Sequence, residues 1–223
     1  MGNPYAVMLL ADGRLPTGAH TQSAGVEPAF GHGMRLHQVP DYIRVRLRTV
    51  TEVEAAAAVV TRHRWLTEAA DRMRAVAEVD AAWRVRTLSD VLRNASDSLG
   101  RSYLRTAGAV WPLDVLSQAN GGVWCRPVVL GATAAEARIS AAELARLVGF
   151  EDVQTVLSAA LKLEPFDPSQ AVGWAAQAEP EVEQLVGRVA GLTATEQIPA
   201  YGAPLIEEWG QRHQFAERRL FRA

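Results

Sequence analysis

The sequence predicts an all-α, single-domain helical bundle of about eight to ten helices, and three observations carry that expectation. Apolar residues recur at three- and four-residue spacing through much of the chain. Period-2 alternation of β-branched and aromatic residues is nowhere sustained. Alanine, the best intrinsic helix former, is abundant. A chain of 223 residues with 48% hydrophobic side chains can bury one sizeable core, and no fixed-period repeat or low-complexity linker divides it. One domain over residues 1–223 is expected, with 1–22 a partly irregular N-terminal segment and 215–223 a tail beyond the last helix.

Taken in order, a loop containing Gly13, Pro16 and Gly18 leads to Ser23, which is placed to cap a short helix ending near Phe30, where Gly31 and Gly33 stop it. From Asp41, the stripe Ile43, Leu47, Val50, Val53 and Ala57 predicts one long helix, with Arg44, Arg46 and Arg48 on its solvated faces. Helices follow over residues 71–83, 88–110 and 113–120, the last closed by Gly121 and Gly122. Ser140-Ala141-Ala142-Glu143 reads as a capping box opening a helix that Gly149 ends, and a separate helix over 152–163 stops before Pro165. Helices over 170–177, 180–190 and 204–214 complete the bundle, the last two beginning at proline, where a missing amide costs least.

The chemistry-bearing residues exclude several functions. With 25 acidic against 23 basic residues and a pI near 6.2, no excess of positive charge exists to hold a nucleic-acid backbone or an anionic membrane. The first residues lack a basic leader and the apolar run 6–11 is too short to span a bilayer, so a cytoplasmic location is expected. Cys125, the single cysteine, makes no internal disulfide and reads as a small buried residue beside Trp124. The six tryptophans read as core anchors. Nucleotide hydrolysis needs a glycine-rich loop ending in Lys-Ser or Lys-Thr, and Lys162, the only lysine, sits in no such context. Thr21-Gln22-Ser23-Ala24-Gly25 half-matches a nucleophile elbow but lacks its first glycine and its strand, so Ser23 reads as a helix cap. His20, His32 and His37 are spaced by twelve and five residues and do not share a helical face. No catalytic residue, no metal site and no intrinsically bound cofactor are expected.

Four segments carry a family resemblance. The first runs Leu9-Leu10-Ala11-Asp12-Gly13-Arg14-Leu15-Pro16-Thr17-Gly18-Ala19-His20-Thr21-Gln22-Ser23-Ala24-Gly25-Val26-Glu27. The second is Ser98-Leu99-Gly100-Arg101-Ser102-Tyr103-Leu104, and the third is Arg126-Pro127-Val128-Val129-Leu130-Gly131-Ala132, followed later by Leu161-Lys162-Leu163-Glu164-Pro165-Phe166. The fourth closes the chain, from His213 through Arg219-Leu220-Phe221-Arg222-Ala223. In order and spacing these resemble the UreF family of urease accessory proteins. The chain departs from that pattern at Ala19 for a glycine, His20 for an aromatic, Gln22 for His or Tyr, Asp167-Pro168-Ser169-Gln170 for Gly-Gln, and Ala223 for serine.

The resemblance implies a helical homodimer that is not an enzyme. It implies binding to the UreD (UreH) scaffold and the GTPase UreG, and with them to apo-urease, so that the assembled complex inserts nickel during GTP hydrolysis. The missing phosphate loop agrees with that division of labour. Partner contacts are expected at Gly18, His20, Ser23 and Gly25 of the N-terminal loop, whose irregular backbone exposes donors. They are also expected at Arg219, Leu220, Phe221 and Arg222, where two apolar anchors stand among guanidinium groups. The tail is expected to make few interior hydrogen bonds, so that its loss costs the core little. Two other classes remain open from the residues alone: a stand-alone nickel-binding carrier using the N-terminal histidines, and a helical-bundle hydrolase using His20 or Ser23.

Overall fold

A computed structural model describes residues 2–213 and 220–221. Of the expected tail contacts, Arg219 and Arg222 lie outside the described residues. Among the described residues the chain forms ten α-helices of seven residues or more, two shorter ones and no strand. In order they are α1 (Pro4–Leu10), α2 (Val26–Gly31), α3 (Val39–Leu47), α4 (Val50–Thr67), α5 (Arg72–Arg86), α6 (Asp90–Gly108), α7 (Asp114–Gln118), α8 (Arg126–Glu136), α9 (Ala141–Leu163), α10 (Pro168–Gln177), α11 (Glu179–Val189) and α12 (Pro204–His213). No helix of the described residues is long and apolar enough to cross a membrane.

The centre is built from small side chains. Ala55 to Ala58 on α4 are fully buried, as are Gly131's neighbours Leu130 and Ala132 on α8, and the two helices pack against each other. At Gly131 the backbones nearly touch: a Cβ there would stand 2.4 Å from the Ala58 carbonyl oxygen and 2.6 Å from the Thr61 Cβ. Gly100 does the same for α6, where a Cβ would meet the Trp124 carbonyl oxygen at 2.0 Å. The glycines of the second and third sequence segments are thus steric requirements of two close crossings. Around this centre Trp65, Trp83 and Trp124 are buried, while Trp111, Trp174 and Trp209 pack on the core from its edge.

The Ser140 capping box forms as the sequence predicts, with Ser140 Oγ accepting the Glu143 N–H at 3.2 Å and the Glu143 carboxylate accepting the Ser140 N–H at 2.8 Å. Gly149, however, does not end that helix. α9 runs unbroken for 23 residues, because the space beside Gly149 admits α11, with Val182 and Leu185 only 3.1 and 3.2 Å from where a Cβ would be. The single helix expected from Asp41 is two. Thr49 adopts φ −134°, ψ −103°, its hydroxyl donates to the Val45 carbonyl at 2.8 Å, and α3 ends before α4 begins. The apolar stripe survives the break, since Ile43, Leu47, Val53 and Ala57 are all buried. α2 starts from Gly25, not Ser23, and Gly31 closes it from within.

The α4–α8 crossing generates the first prediction. Gly131→Ala must push two helix backbones apart and is expected to lower stability by about 1–3 kcal/mol. Gly187→Ala, inside α11 where nothing lies within 4 Å of the added methyl, is expected to be neutral or stabilising by up to about 1 kcal/mol. Denaturant melts of the two variants check both signs.

Candidate functional site

The N-terminal segment after α1 is shaped by backbone geometry. Gly18 and Gly25 both have positive φ, +77° and +79°, and each precedes a helical turn. Gly25 is doubly constrained, because a Cβ would also approach the Tyr42 hydroxyl to 2.7 Å. Its neighbour Ala24, itself at φ 51°, offers a carbonyl to two donors, Tyr42 Oη at 2.7 Å and Arg46 Nη1 at 2.9 Å. Of the expected partner-contact residues, Ser23 is fully buried and Gly25 is buried, Gly18 is half-buried and His20 is exposed.

Beneath this segment lies a floor of paired charges. Arg46 is 8% exposed and forms a forked pair with Asp152, at 2.6 Å from Nη2 and 3.0 Å from Nε, while the Thr51 hydroxyl donates to the same carboxylate at 2.9 Å. Arg46 is therefore not a solvated residue as its spacing suggests. Burial alone would lower its pKa, but Asp152 and Tyr42 outweigh that and raise it. One residue earlier on α9, Glu151 accepts from Arg126 Nη2 at 2.6 Å and from the Tyr103 hydroxyl, and Arg126 Nη1 reaches Glu54 at 2.5 Å. Burial raises the Glu151 carboxyl above the ordinary carboxylate range, with Arg126 opposing the shift, and burial likewise pushes the Tyr103 phenol upward. Cys125 is buried as expected, and burial raises its thiol.

Two cavities, of about 150 and 220 Å³, lie beside the N-terminal segment, and Ala19, Gln22, Glu151 and Thr155 line both. The short turn Ala19–Thr21 is thus a partition above the ionic floor. The second cavity is also lined by Lys162 and Phe221. Of the tail, residues 220 and 221 are described. Phe221 is 5% exposed, its ring lies 5.3 Å from Lys162 Nζ, and the Leu220 and Phe221 amides donate to the Glu27 carboxylate at 2.7 and 2.9 Å. The first of these bonds is exposed and the second part-buried, and Leu220 is 63% exposed. Nearby, α12 packs on α2 and α6, and Trp209 stacks on His32 with ring centroids 6.5 Å apart. His32 donates from Nδ1 to the Pro28 carbonyl at 2.7 Å. Among the described residues, no group of three or more His, Cys, Asp or Glu side chains is arranged to hold a metal ion.

The charged floor makes a prediction that isolates one carboxyl. Arg126→Met strands Glu54 and Glu151 and is expected to cost about 3–5 kcal/mol, whereas Glu151→Gln removes a strained ionisation and is expected to cost less. Since the Glu151 pKa is raised in the folded state, the native protein binds the extra proton in the window above the ordinary carboxylate value. Wild type should therefore gain stability relative to Glu151→Gln as pH falls through that window. Paired thermal melts across pH measure the difference.

Comparison with known proteins finds relatives along nearly the whole chain. The family model described as UreF matches residues 36–179. The chain is 33% identical over 220 residues to the urease accessory protein UreF of Mycobacterium tuberculosis (strain ATCC 25618 / H37Rv), with 97% of each chain covered. It is 33% identical over 224 residues to that of Mycobacterium marinum and 32% identical over 218 residues to that of Mycobacterium sp. (strain JLS), with 96% of each chain covered in both cases. A family model matching residues 36–179 and relatives one-third identical over nearly the whole chain place this protein in the UreF family of urease accessory proteins.

Proposed function

We propose that this chain is a non-catalytic adaptor of urease maturation that works in the cytoplasm as a homodimer. It joins the UreD (UreH) scaffold and the GTPase UreG, and the assembled complex inserts nickel into apo-urease as GTP is hydrolysed. Nickel is cargo of that complex, and the chain itself needs no resident cofactor. The observation that carries the reading is the family match over nearly the whole chain at about one-third identity.

The side-chain chemistry is in keeping with an adaptor. Arg46, Arg126, Glu54, Glu151 and Asp152 are engaged with one another, so the most conspicuous charged cluster supports the fold. Ser23, the candidate nucleophile, is closed into the core. The surfaces offered to partners are the N-terminal segment with His20 and Gly18, and the tail's Arg219, Leu220 and Arg222, with Phe221 buried.

Two outcomes are expected. Light scattering of the purified protein at micromolar concentration should give about twice 24.2 kDa; a monomer alone would remove the dimer. Deleting residues 219–223 should leave a helical protein, lower its stability by up to about 3 kcal/mol through loss of the buried Phe221 ring, and abolish recovery of UreD and UreG in pull-downs. Undiminished recovery of both partners by the truncated protein would contradict the docking role of the tail.

A further inference from the structure

We infer that Glu151 and Tyr103 share a proton, and that this proton is a pH-sensitive lock on the junction of α4, α6, α8 and α9. The charge count is uneven there. Arg46 and Asp152 balance one to one, but Arg126 faces two carboxylates, Glu54 through Nη1 and Glu151 through Nη2. A guanidinium does not change its charge to mend a mismatch, so with both carboxylates ionised the junction keeps one negative charge that nothing in contact offsets. The side chains of Arg126, Glu54 and Glu151 are only 12, 21 and 15% exposed, so water screens that charge poorly.

Tyr103 gives the missing proton its place. Oε2 of Glu151 accepts from Arg126 and Oε1 accepts from the Tyr103 hydroxyl. A proton added to Oε1 reverses that second bond: the carboxyl donates, the phenol oxygen accepts, and the phenol's own hydrogen turns toward the cavity that Tyr103 lines. The junction is then neutral. Without the proton, Glu54 and Glu151 repel each other, and the excess charge draws water from the two cavities that Glu151 borders. Burial raises the Glu151 carboxyl, Arg126 opposes the shift and Glu54 adds to it. The lock is therefore closed at low pH and opens as pH rises through the raised value.

The remaining charged groups around Glu151 are engaged elsewhere or stand across a cavity. Arg46 of α3 is held by Asp152, and Glu27 of α2 accepts the Leu220 and Phe221 amides. On α11, Glu181, Glu183 and Arg188 pair with Arg48, Arg146 and Glu52. α10 has no ionisable side chain, and the only one on α1 is the exposed Tyr5. Asp12, His20 and Lys162 line one cavity, Arg86 and Glu207 the other. Of these, Asp12 is paired with Arg14, and Arg86 donates to backbone carbonyls.

The chain has four tyrosines, so a ¹³Cζ-tyrosine label gives few signals, and the one lost in Tyr103→Phe is that of Tyr103. The full-length protein is titrated from about pH 4, near the ordinary glutamate value, to about pH 8. The Tyr103 signal is expected to move with a midpoint above that ordinary value and to stay still in Glu151→Gln. In Glu54→Gln it should move with a lower midpoint, because one negative charge is gone. Hydrogen exchange, corrected for its intrinsic pH dependence, reads the lock itself. Amide protection over residues 126–130 and 150–154 should fall by about tenfold for each unit by which the midpoint is raised, and should be level in Glu151→Gln. Melting curves show that the variants are folded, and the wild-type titration tests the inference without them. A Tyr103 signal that does not move, or that still moves in Glu151→Gln, overturns the shared proton. A moving signal with level wild-type protection overturns the lock. A midpoint unchanged or raised in Glu54→Gln overturns the charge count as its cause.

Discussion

Consecutive carboxylates midway along α9 receive two buried guanidinium groups, and much of the structure is hung on that point. Glu151 and Asp152 project about 100° apart around the helix, so one faces Arg126 at the start of α8 and the other faces Arg46 on α3. Arg126 continues to Glu54 on α4, and Arg46 continues to the Ala24 carbonyl of the N-terminal segment. Four helices and the loop are thus indexed to one position. Two adjacent left-handed residues of the loop, Ala24 and Gly25, are tolerable because Tyr42 and Arg46 hold the carbonyl between them.

Such a lattice is better understood as specifying an arrangement than as adding stability. Pairing buried charges returns roughly what their desolvation costs, while removing one member leaves its partner stranded. The stabilisation comes from the close crossings instead, where α4 meets α8 through alanine and glycine, and from the tryptophans that seal the edges. The two devices act together. Backbones that nearly touch define how far apart the helices stand, and the guanidinium pairs define how they are aligned along their axes. The corner formed by the N-terminal segment, α12 and the tail rests on this frame.

The helical class, the capping box at Ser140 and the motif glycines were legible in the sequence, because each has a local signal. The role of Gly131 and Gly100 was visible only as pattern, since the steric reason lies in Ala58 and Trp124, far along the chain. Arg46 was misread because a helix-surface arginine and a buried one share the same spacing. Its place between Ile43 and Leu47, both in the apolar stripe, was the available clue. Gly149 looked like a stop because glycine weakens an isolated helix, and tertiary packing of α11 overrode it. The Thr49 break carried no proline or glycine to announce it. The tail's attachment to Glu27 depends on a separation of 193 residues, and no periodicity or cap rule reaches that far.

The role proposed for this protein is that of a part without which other parts do not assemble. Reconstitution with purified apo-urease, UreD, UreG, nickel and GTP, in the presence and absence of this chain, measures that directly. Urease activity is predicted to appear only when the chain is present, with the chain alone showing no GTP turnover. Equal activation without it, or GTP hydrolysis by the chain on its own, would contradict the account.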